Sequence, residues 1–290
     1  MTPHSAGAPL VSICLPLFNA RRFIRSTIES VLAQRYQNWE LVISDDASDD
    51  GSGDIVELFK DPRIRYLRQV RRLGPQGNWN HAVNEGRGVF RKLLCHDDLL
   101  HPDCLRRQVE AFQASGNEKT TLVACASSII SASGVVFFER RWHRRSRRIP
   151  GRIAVRQTVR SGTNLIGEPC ATMFRASDWN RLGGFDASNP YAIDLDFWLR
   201  LLDLGDCYYI SDCLCSFRIS EQSWSFHLAR DHARQFAELI ERRRSQNSGS
   251  ISAFDLALGR IRSREYALLR RAFYALLRFR EKATNSGKPQ

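Results

Sequence analysis

The chain has no CxxC pair, no internal repeat and no glycine-rich phosphate loop near its start, and each absence closes a route. Its eight cysteines are scattered, the closest pair being Cys213-x-Cys215 inside an apolar stretch. Such spacing suits neither a zinc site nor a disulfide framework and reads as buried free thiols. A nucleotidyltransferase would carry its phosphate loop where this chain reads Leu17-Phe18-Asn19-Ala20. Met1–Pro9 is polar and Leu10–Leu17 stops at Asn19, too short for a secretory signal. The uncharged run Thr120–Phe138 contains Ser127, Ser128, Ser131, Ser133 and Gly134, so it reads as a turn between two buried strands, not a membrane span. A soluble or peripheral protein is expected.

Acidic residues are the scarcer charge, 31 against 43 basic ones, for a net +12. That excess suits nucleic acid, anionic lipid or phosphorylated substrates without choosing among them. With 290 residues, 43% of them hydrophobic and 10% aromatic, the chain can bury a sizeable core.

Strand-type runs Val11–Pro16, Trp39–Ser44, Ile64–Leu67 and Arg91–Cys95 alternate with helical patterns at Phe23–Gln34, Ile55–Lys60 and Asn78–Asn84. Alternation of this kind predicts an α/β fold, a mostly parallel central sheet with helices on both faces. Further on come a helix at Cys104–Ala114 and an arginine-rich loop at Glu139–Arg148, with basic residues continuing at Arg152, Arg156 and Arg160. Strand character returns at Thr163–Arg175, Cys207–Ile210 and Cys213–Arg218, with helices at Ser177–Leu182 and Asp194–Leu204. From Trp224 to Lys282 the pattern is helical, broken at Ser245–Ser252.

In such sheets ligands bind beyond the carboxyl ends of the strands. Asp45-Asp46 and Asp97-Asp98 both stand there. Either pair alone could be a turn that caps a helix. Two pairs in a basic chain point to a shared site for a nucleotide and a divalent cation, because Mg²⁺ and Mn²⁺ prefer carboxylate oxygens.

Five stretches, in order, resemble the family-2 glycosyltransferases of the GT-A fold. Val11–Asn19 is similar to their opening strand, Ser30–Gln34 to the end of their first helix, and Leu41–Ser48 to their nucleotide-binding strand and turn. Asn80, Gly88 and Phe90 precede Asp97-Asp98 at the family's spacing, and Gly183–Asp186 followed by Asp194–Arg200 resembles the acceptor-side signature. The resemblance covers roughly residues 10 to 220. It implies a nucleotide-sugar donor, most readily a UDP-sugar, an inverting transfer to an acceptor hydroxyl, and a Mn²⁺ or Mg²⁺ ion. It places Pro16, Phe18 and Asn19 at the nucleotide, Phe18 lying against the base, with Asp45 or Asp46 on base or ribose and Asn80 nearby. Asp97 and Asp98 would hold the metal on the diphosphate, and Asp194 would be the catalytic base. It further implies a glycosyltransferase domain over 1–220, with a nucleotide-sugar half at 10–102 and an acceptor half at 103–220, and a helical extension over 221–290.

Two departures bear on this. The family's first metal-motif carboxylate is Cys95 here, which leaves Asp98 as the expected metal ligand with Asp97 beside it. The family's Glu-Asp is Ile193-Asp194, so Asp196 is a rival base; either Asp could instead serve the helix N-terminus. His96 reads as a diphosphate contact or a solvated loop residue, His81 as a surface helix residue and Trp198 as core. Processive synthases carry Gln-x-x-Arg-Trp, which is absent, so a single addition to a saccharide or lipid-linked acceptor in cell-surface polysaccharide or glycolipid synthesis is expected. Nucleotidyl transfer, or non-catalytic polyanion binding through Arg140–Arg160, is the alternative. Leu258, Ile261, Leu268, Leu269, Phe273, Leu276 and Leu277 recur at helical spacing among arginines, so the C-terminal helix can lie on an anionic membrane or pack on the protein. The expected location is cytoplasmic, with peripheral membrane contact; no nucleic-acid partner is expected.

Overall fold

Val11–Leu17 and Trp39–Asp45 are buried at every position, which a strand can be only where both faces of its sheet are covered. The computed structural model describes residues 7–114, 116–220, 231–246 and 251–285, with side chains in the last helix described to residue 273. Elements run β1 (Val11–Leu17), α1 (Ile24–Leu32), β2 (Trp39–Asp45), α2 (Ser52–Glu57), β3 (Ile64–Arg68), α3 (Gly74–Asn84), β4 (Phe90–Leu93), β5 (Leu99–Leu100) and α4 (Cys104–Gln113). They continue with β6 (Thr120–Ile130), β7 (Val136–Arg140), β8 (Arg147–Ile149), α5 (Gly151–Ser161), β9 (Thr172–Arg175), α6 (Ala176–Leu182), α7 (Ile193–Leu204), β10 (Asp206–Arg218), α8 (His232–Gln246) and α9 (Ala253–Asn285). Two compact units result. One holds Met1–Ala154, Ile166–Asp186 and Asp194–Arg218; the other holds Val155–Leu165, Ala187–Ile193 and Ile219–Gln290.

The first unit carries the sheet, in the order β3-β2-β1-β4-β9-β6-β10-β5, with β7 on β6 and β8 on β10. Strands β3, β2, β1 and β4 are parallel, as are β6 and β10, whereas β9 is antiparallel to both β4 and β6. The parallel ladders are the longer ones, in keeping with the expected fold class. Register aligns Leu17 with Asp45 and Cys14 with Leu93, so the chain leaves β1, β2 and β4 at one edge. On the acceptor side an aromatic cluster of Phe174, Trp179, Phe185, Phe197 and Trp198 fixes β9, α6 and α7 to one another. Trp198 is core, as expected, its indole N–H donating to the Gly167 carbonyl at 3.2 Å. All eight cysteines are free, and only Cys95 and Cys213 are partly exposed. No described helix is long and apolar enough to cross a membrane.

Several boundaries differ from the sequence reading. Ser127 and Ser128 do not make a turn; they continue β6, paired to Arg140 and Glu139 of β7. The turn lies at 131–135, where Gly134 has φ +86° and the Ser131 N–H donates to the Val135 carbonyl at 2.8 Å. Its second strand, β7, is not buried, since Val136 and Phe138 are about half exposed. The arginine-rich segment is a loop only over residues 141–146, because β7 ends in Arg140 and β8 begins at Arg147. Thr163–Arg175 is strand only from Thr172, after a 3-10 turn over Pro169–Ala171. The two strands read at 207–218 are one, β10, with register shifts between Ile210 and Cys215.

In the second unit Ser252 and Asp255 form a capping box that starts α9. The Asp255 N–H donates to the Ser252 hydroxyl at 3.1 Å, and the Ser252 N–H donates to the Asp255 carboxylate at 2.9 Å. Burial opposes the Asp255 charge, but these Ser252 bonds with Arg160 and Arg156 hold its pKa below the usual range. The buried stripe of α9 begins with Asp255 and Leu256 and continues in small groups, Gly259, Ser263 and Ala267. A Cβ on Gly259 would lie 2.3 Å from the Val159 carbonyl oxygen, so the glycine allows the helix to approach α5 closely. Ile261, Leu268 and Leu269 are turned outward at 56%, 65% and 65% exposure. The side chains of Leu276, Leu277, Arg278 and Arg280, and residue Trp224, lie outside the described residues.

Candidate active site

Two facing turns build the first half of the site. Beyond β1, Asn19 takes φ +46°, and beyond β2, Ala47 takes φ +58°, conformations that non-glycine residues adopt only when their surroundings hold them. Here the turns hold each other. The Asn19 N–H donates to Ser48 Oγ (3.1 Å), its amide N–H₂ to Asp49 (2.8 Å), and its amide oxygen accepts from the Asp49 N–H (3.0 Å). Asp45 is fully buried and accepts from the Ser48 N–H at 2.9 Å and the Tyr66 hydroxyl at 2.5 Å. Asp46 accepts from the N–H groups of Leu73 (2.5 Å) and Gly74 (3.1 Å), tying the start of α3 to the sheet edge. Both carboxylates therefore do structural work in this state. Phe18 is half-buried, and the Arg72 guanidinium covers its ring at 3.7 Å from the centroid.

The second half lies beyond β4. Leu94 N–H donates to the Cys14 carbonyl at 2.9 Å, and the chain then turns through Cys95-His96-Asp97-Asp98. His96 Nδ1 lies 3.3 Å from the carbonyl oxygen of Pro16, which brings this turn against β1. The turn is held by a residue that the sequence reading did not single out. Arg218, the last residue of β10, donates its Nε–H to the Asp97 carbonyl (2.7 Å) and its main-chain N–H to Asp98 Oδ1 (3.0 Å). Asp98 Oδ2 is buried with no hydrogen bond formed, beside the weak donor Cys170. Burial, then the neighbouring charge of Asp97, push the Asp98 pKa well above the carboxylate range, against the pull of the Arg218 N–H.

Two more carboxylates face this turn. Asp194, in the first turn of α7, accepts from the Leu195 N–H at 2.7 Å. Burial raises its pKa to about 7; Glu168 adds to the rise, while the Leu195 N–H and Arg140 oppose it. Glu168 is the second functional residue that the sequence reading passed over. It accepts from the Arg140 guanidinium and from the Ser127 hydroxyl at 3.5 Å. Burial, and after it the charges of Asp98, Asp97, Asp194 and Glu168, push the Cys95 thiol pKa well up, so all four carboxylates act on one side chain. Among the described residues no three such side chains converge into a ready-made metal cage. Mg²⁺ and Mn²⁺ sites built on one or two carboxylates with substrate phosphates do not need one. The orphaned Asp98 oxygen beside Asp97 fits such a cation.

The remaining candidates have structural partners. Asp196 is buried and accepts from Arg200 Nε at 2.8 Å, and Arg200 in turn binds the carbonyls of Leu182 and Gly184. Asn80 uses both amide atoms on Phe185, donating to its carbonyl (3.1 Å) and accepting from its N–H (2.9 Å). It thus joins α3 to the Gly183–Asp186 turn. His81 is not a solvated surface residue: it is half-buried, with Nδ1 at 2.9 Å from Ser44 Oγ.

A parallel edge that gathers acidic turns from two strands, β2 and β4, facing a carboxylate whose pKa lies near neutrality, has the features of an active site. The family model for glycosyl transferase family 2 matches residues 12–182, and the chain belongs to that family. An uncharacterized protein of Mycobacterium tuberculosis is 32% identical over 202 residues, 67% of this chain and 62% of that one. The Bacillus subtilis protein TuaG, named for teichuronic acid biosynthesis, is 28% identical over 75% of this chain and 82% of its own. Matches to four rickettsial glycosyltransferases span between 28% and 65% of their lengths, so the chain covers less than two thirds of these relatives. Among solved structures, a mannosyltransferase of Pyrobaculum calidifontis superposes with TM-score 0.64 at 17% identity, covering 98% of this chain and 82% of that one. TarS of S. aureus superposes with TM-score 0.60 at 15% identity, covering 81% and 72%. At such identity the two share the fold.

A base at Asp194 must be ionised to accept a proton, and its raised pKa confines that state to pH above about 7. Infrared difference spectra between the wild type and Asp194→Asn should show a protonated carboxyl that titrates away near that pH. Glu168→Gln should move the titration to lower pH, because it removes a like charge and releases Arg140 from its partner. A carboxyl already ionised at about pH 5 contradicts this assignment.

Proposed function

We propose that the chain transfers a sugar from a nucleotide-sugar, most readily a UDP-sugar, to an acceptor hydroxyl with inversion, Asp194 serving as base. The observation that carries this reading is the gathering of Asp97, Asp98, Glu168 and Asp194 at one edge, with Asp98 Oδ2 lacking a hydrogen bond. Asp98, with Asp97 beside it, would hold a Mn²⁺ or Mg²⁺ ion. That ion, when bound, neutralises charge developing on the departing diphosphate, so no protein acid is required there. Asp194 takes the proton of the attacking hydroxyl. Asp196 orients Arg200, and Asn80 orients the Gly183–Asp186 turn, so both act by positioning.

Phe18, whose ring Arg72 now covers, would lie against the base, and the Asn19 and Asp46 turns would line the ribose side; His96, held at the Pro16 carbonyl, would stand near the diphosphate. The catalytic part spans 1–220, with 221–290 as an extension. The structures that share the fold support the donor class, since TarS was solved with UDP-GlcNAc and the Pyrobaculum enzyme with GDP-Man and Mn²⁺. The name of TuaG supports a product at the cell surface, and the acceptor is a saccharide, free or lipid-linked. Calorimetry with UDP should show tighter binding when Mn²⁺ is added, and Asp98→Asn should remove that gain. Equal affinity with and without chelator contradicts the metal assignment.

Asp194→Asn should lower turnover by roughly 10²–10⁴-fold while donor affinity holds, the usual range for a lost general base. If Asp196→Asn abolishes turnover with Arg200 still in place and Asp194→Asn does not, the roles are reversed.

The outward leucines of α9 lie among exposed Arg260, Arg262 and Arg264, the composition of a helix resting on an anionic bilayer. Co-sedimentation should find the protein on anionic but not neutral vesicles, released by salt as the charges are screened. Leu268→Ser with Leu269→Ser should weaken that binding about tenfold; undiminished binding assigns the face another role.

A further inference from the structure

The arginines of Glu139–Arg148 divide by task. Arg140 turns inward to Glu168 and, with it, acts on Asp194. Arg141 is held by Glu139 and the Ser211 carbonyl, and Arg148 by the Gly116 carbonyl at 2.6 Å and Asp206 at 3.6 Å. Arg144, Arg145 and Arg147 are exposed and form no ion pair among the described residues.

The segment that carries them is built, not loose. Trp142 N–H donates to the Tyr209 hydroxyl at 2.8 Å, and its ring stacks on His143 with centroids 5.2 Å apart and meets the edge of Tyr209 at 5.8 Å. Ser146 Oγ accepts from the Ser211 N–H at 3.0 Å, and β8 pairs with β10 from Arg147 to Ile149. Three uncompensated cations thus stand on a pinned loop that follows Arg140, the residue that meets Glu168. Arg144 lies four positions after Arg140, at most about 14 Å of chain.

Sheet order separates this arm from the donor side. The proposed nucleotide site lies at the ends of β1, β2 and β4, whereas the arm springs from β6 and β10, beyond β9. Nucleic acid is a poor fit, because the aromatic rings of the arm are engaged with one another and offer no free stacking platform.

We propose that the loop 141–147 is an acceptor subsite, in which Arg144, Arg145 and Arg147 bind a phosphate or carboxylate carried by the acceptor saccharide while its hydroxyl faces Asp194. Guanidinium forks suit such groups because they offer paired donors in a fixed plane. The inference rests on the glycosyltransferase reading above and adds the charge of its acceptor.

The test measures nucleotide release by the full chain from UDP-sugars with Mn²⁺, against a panel of sugar phosphates, uronic acids and their neutral methyl glycosides. Anionic members should accelerate release and neutral ones should not. Arg144→Ser with Arg145→Ser and Arg147→Ser should raise the KM of the anionic acceptor at least about tenfold, the loss expected for charged hydrogen bonds, with the donor KM unchanged. Replacement of the three by lysine should recover part of the loss, which a merely structural role would not predict. A saccharide linked to a lipid diphosphate in micelles, run beside its water-soluble phosphate analogue, separates two sources of the anion. Equal losses assign recognition to the phosphate on the sugar, and a loss confined to the micellar substrate assigns it to the lipid carrier's diphosphate. Neutral acceptors that work as well as anionic ones, an inert anionic panel, or an unchanged KM in the triple serine variant overturns the subsite. A wild type that neither binds nor cleaves any nucleotide-sugar fails the glycosyltransferase reading instead, before the arm is tested.

Discussion

Two like charges about 5 Å apart repel by about 3 kcal/mol at an effective dielectric near 20, and the edge of this sheet gathers four carboxylates within mutual influence. The arrangement stands because cations are delivered to it from strands already fixed by the sheet. Arg218 ends β10 and holds the Asp97-Asp98 turn by its side chain and main chain together. Arg140 ends β7 and meets Glu168. Neither arginine neutralises Asp98 Oδ2, and burial beside Asp97 favours its protonated form. That carboxylate is stable either with a proton or with a metal ion, and the second state is the one a diphosphate ligand would complete.

How this edge is assembled was only partly legible in the sequence. The alternation of Val11–Pro16, Trp39–Ser44 and Arg91–Cys95 with helical patterns is a local signal, and it located the strands and the acidic turns that end them. Asp194 was legible for the same reason, since it opens a helix within a recognisable signature. Glu168 and Arg218 were not. Each is a single charge at the end of an apolar stretch, and its meaning depends on partners 28 and 120 residues away, which periodicity does not carry. Serine misled in the other direction. Ser127 and Ser128 resemble turn residues, but the ladder partners on both sides of β6 decide their conformation. His81 was misread likewise, because its contacts to Ser44 and Gln69 come from other elements.

Residues that seem to be ligands from their type alone are divided by the geometry into binders and builders. Asp45 and Asp46 follow a strand in the position where a nucleotide would meet them, yet their lone pairs serve Ser48, Tyr66, Leu73 and Gly74. Asn80 and Asp196 are also occupied, and each braces the Gly183–Asp186 turn, one directly and one through Arg200. A carboxylate used this way is hard to replace even if it never touches a substrate, since its removal leaves buried N–H groups without acceptors. Loss of activity on mutation would therefore not by itself mark any of these four as catalytic.

The distribution of charge gives the last step. A net +12 protein draws anions from a distance, yet the place proposed for the diphosphate is lined by carboxylates. A bare diphosphate arriving there would meet like charge, and so would a second anion approaching Asp194. With a divalent cation held by Asp98 the local sign would change, and donor and metal binding would then be mutually reinforcing, because each would remove the repulsion that opposes the other. On the far side of Glu168 the sign is reversed again by the arginines of β7 and β8. An acceptor that carries its own negative charge would then be guided to its binding place by the arm and kept off the metal side by the carboxylates. Such alternation of sign, a cation, carboxylates and arginines in turn, would separate two anionic substrates while leaving the acceptor's neutral hydroxyl free to attack the donor sugar between them.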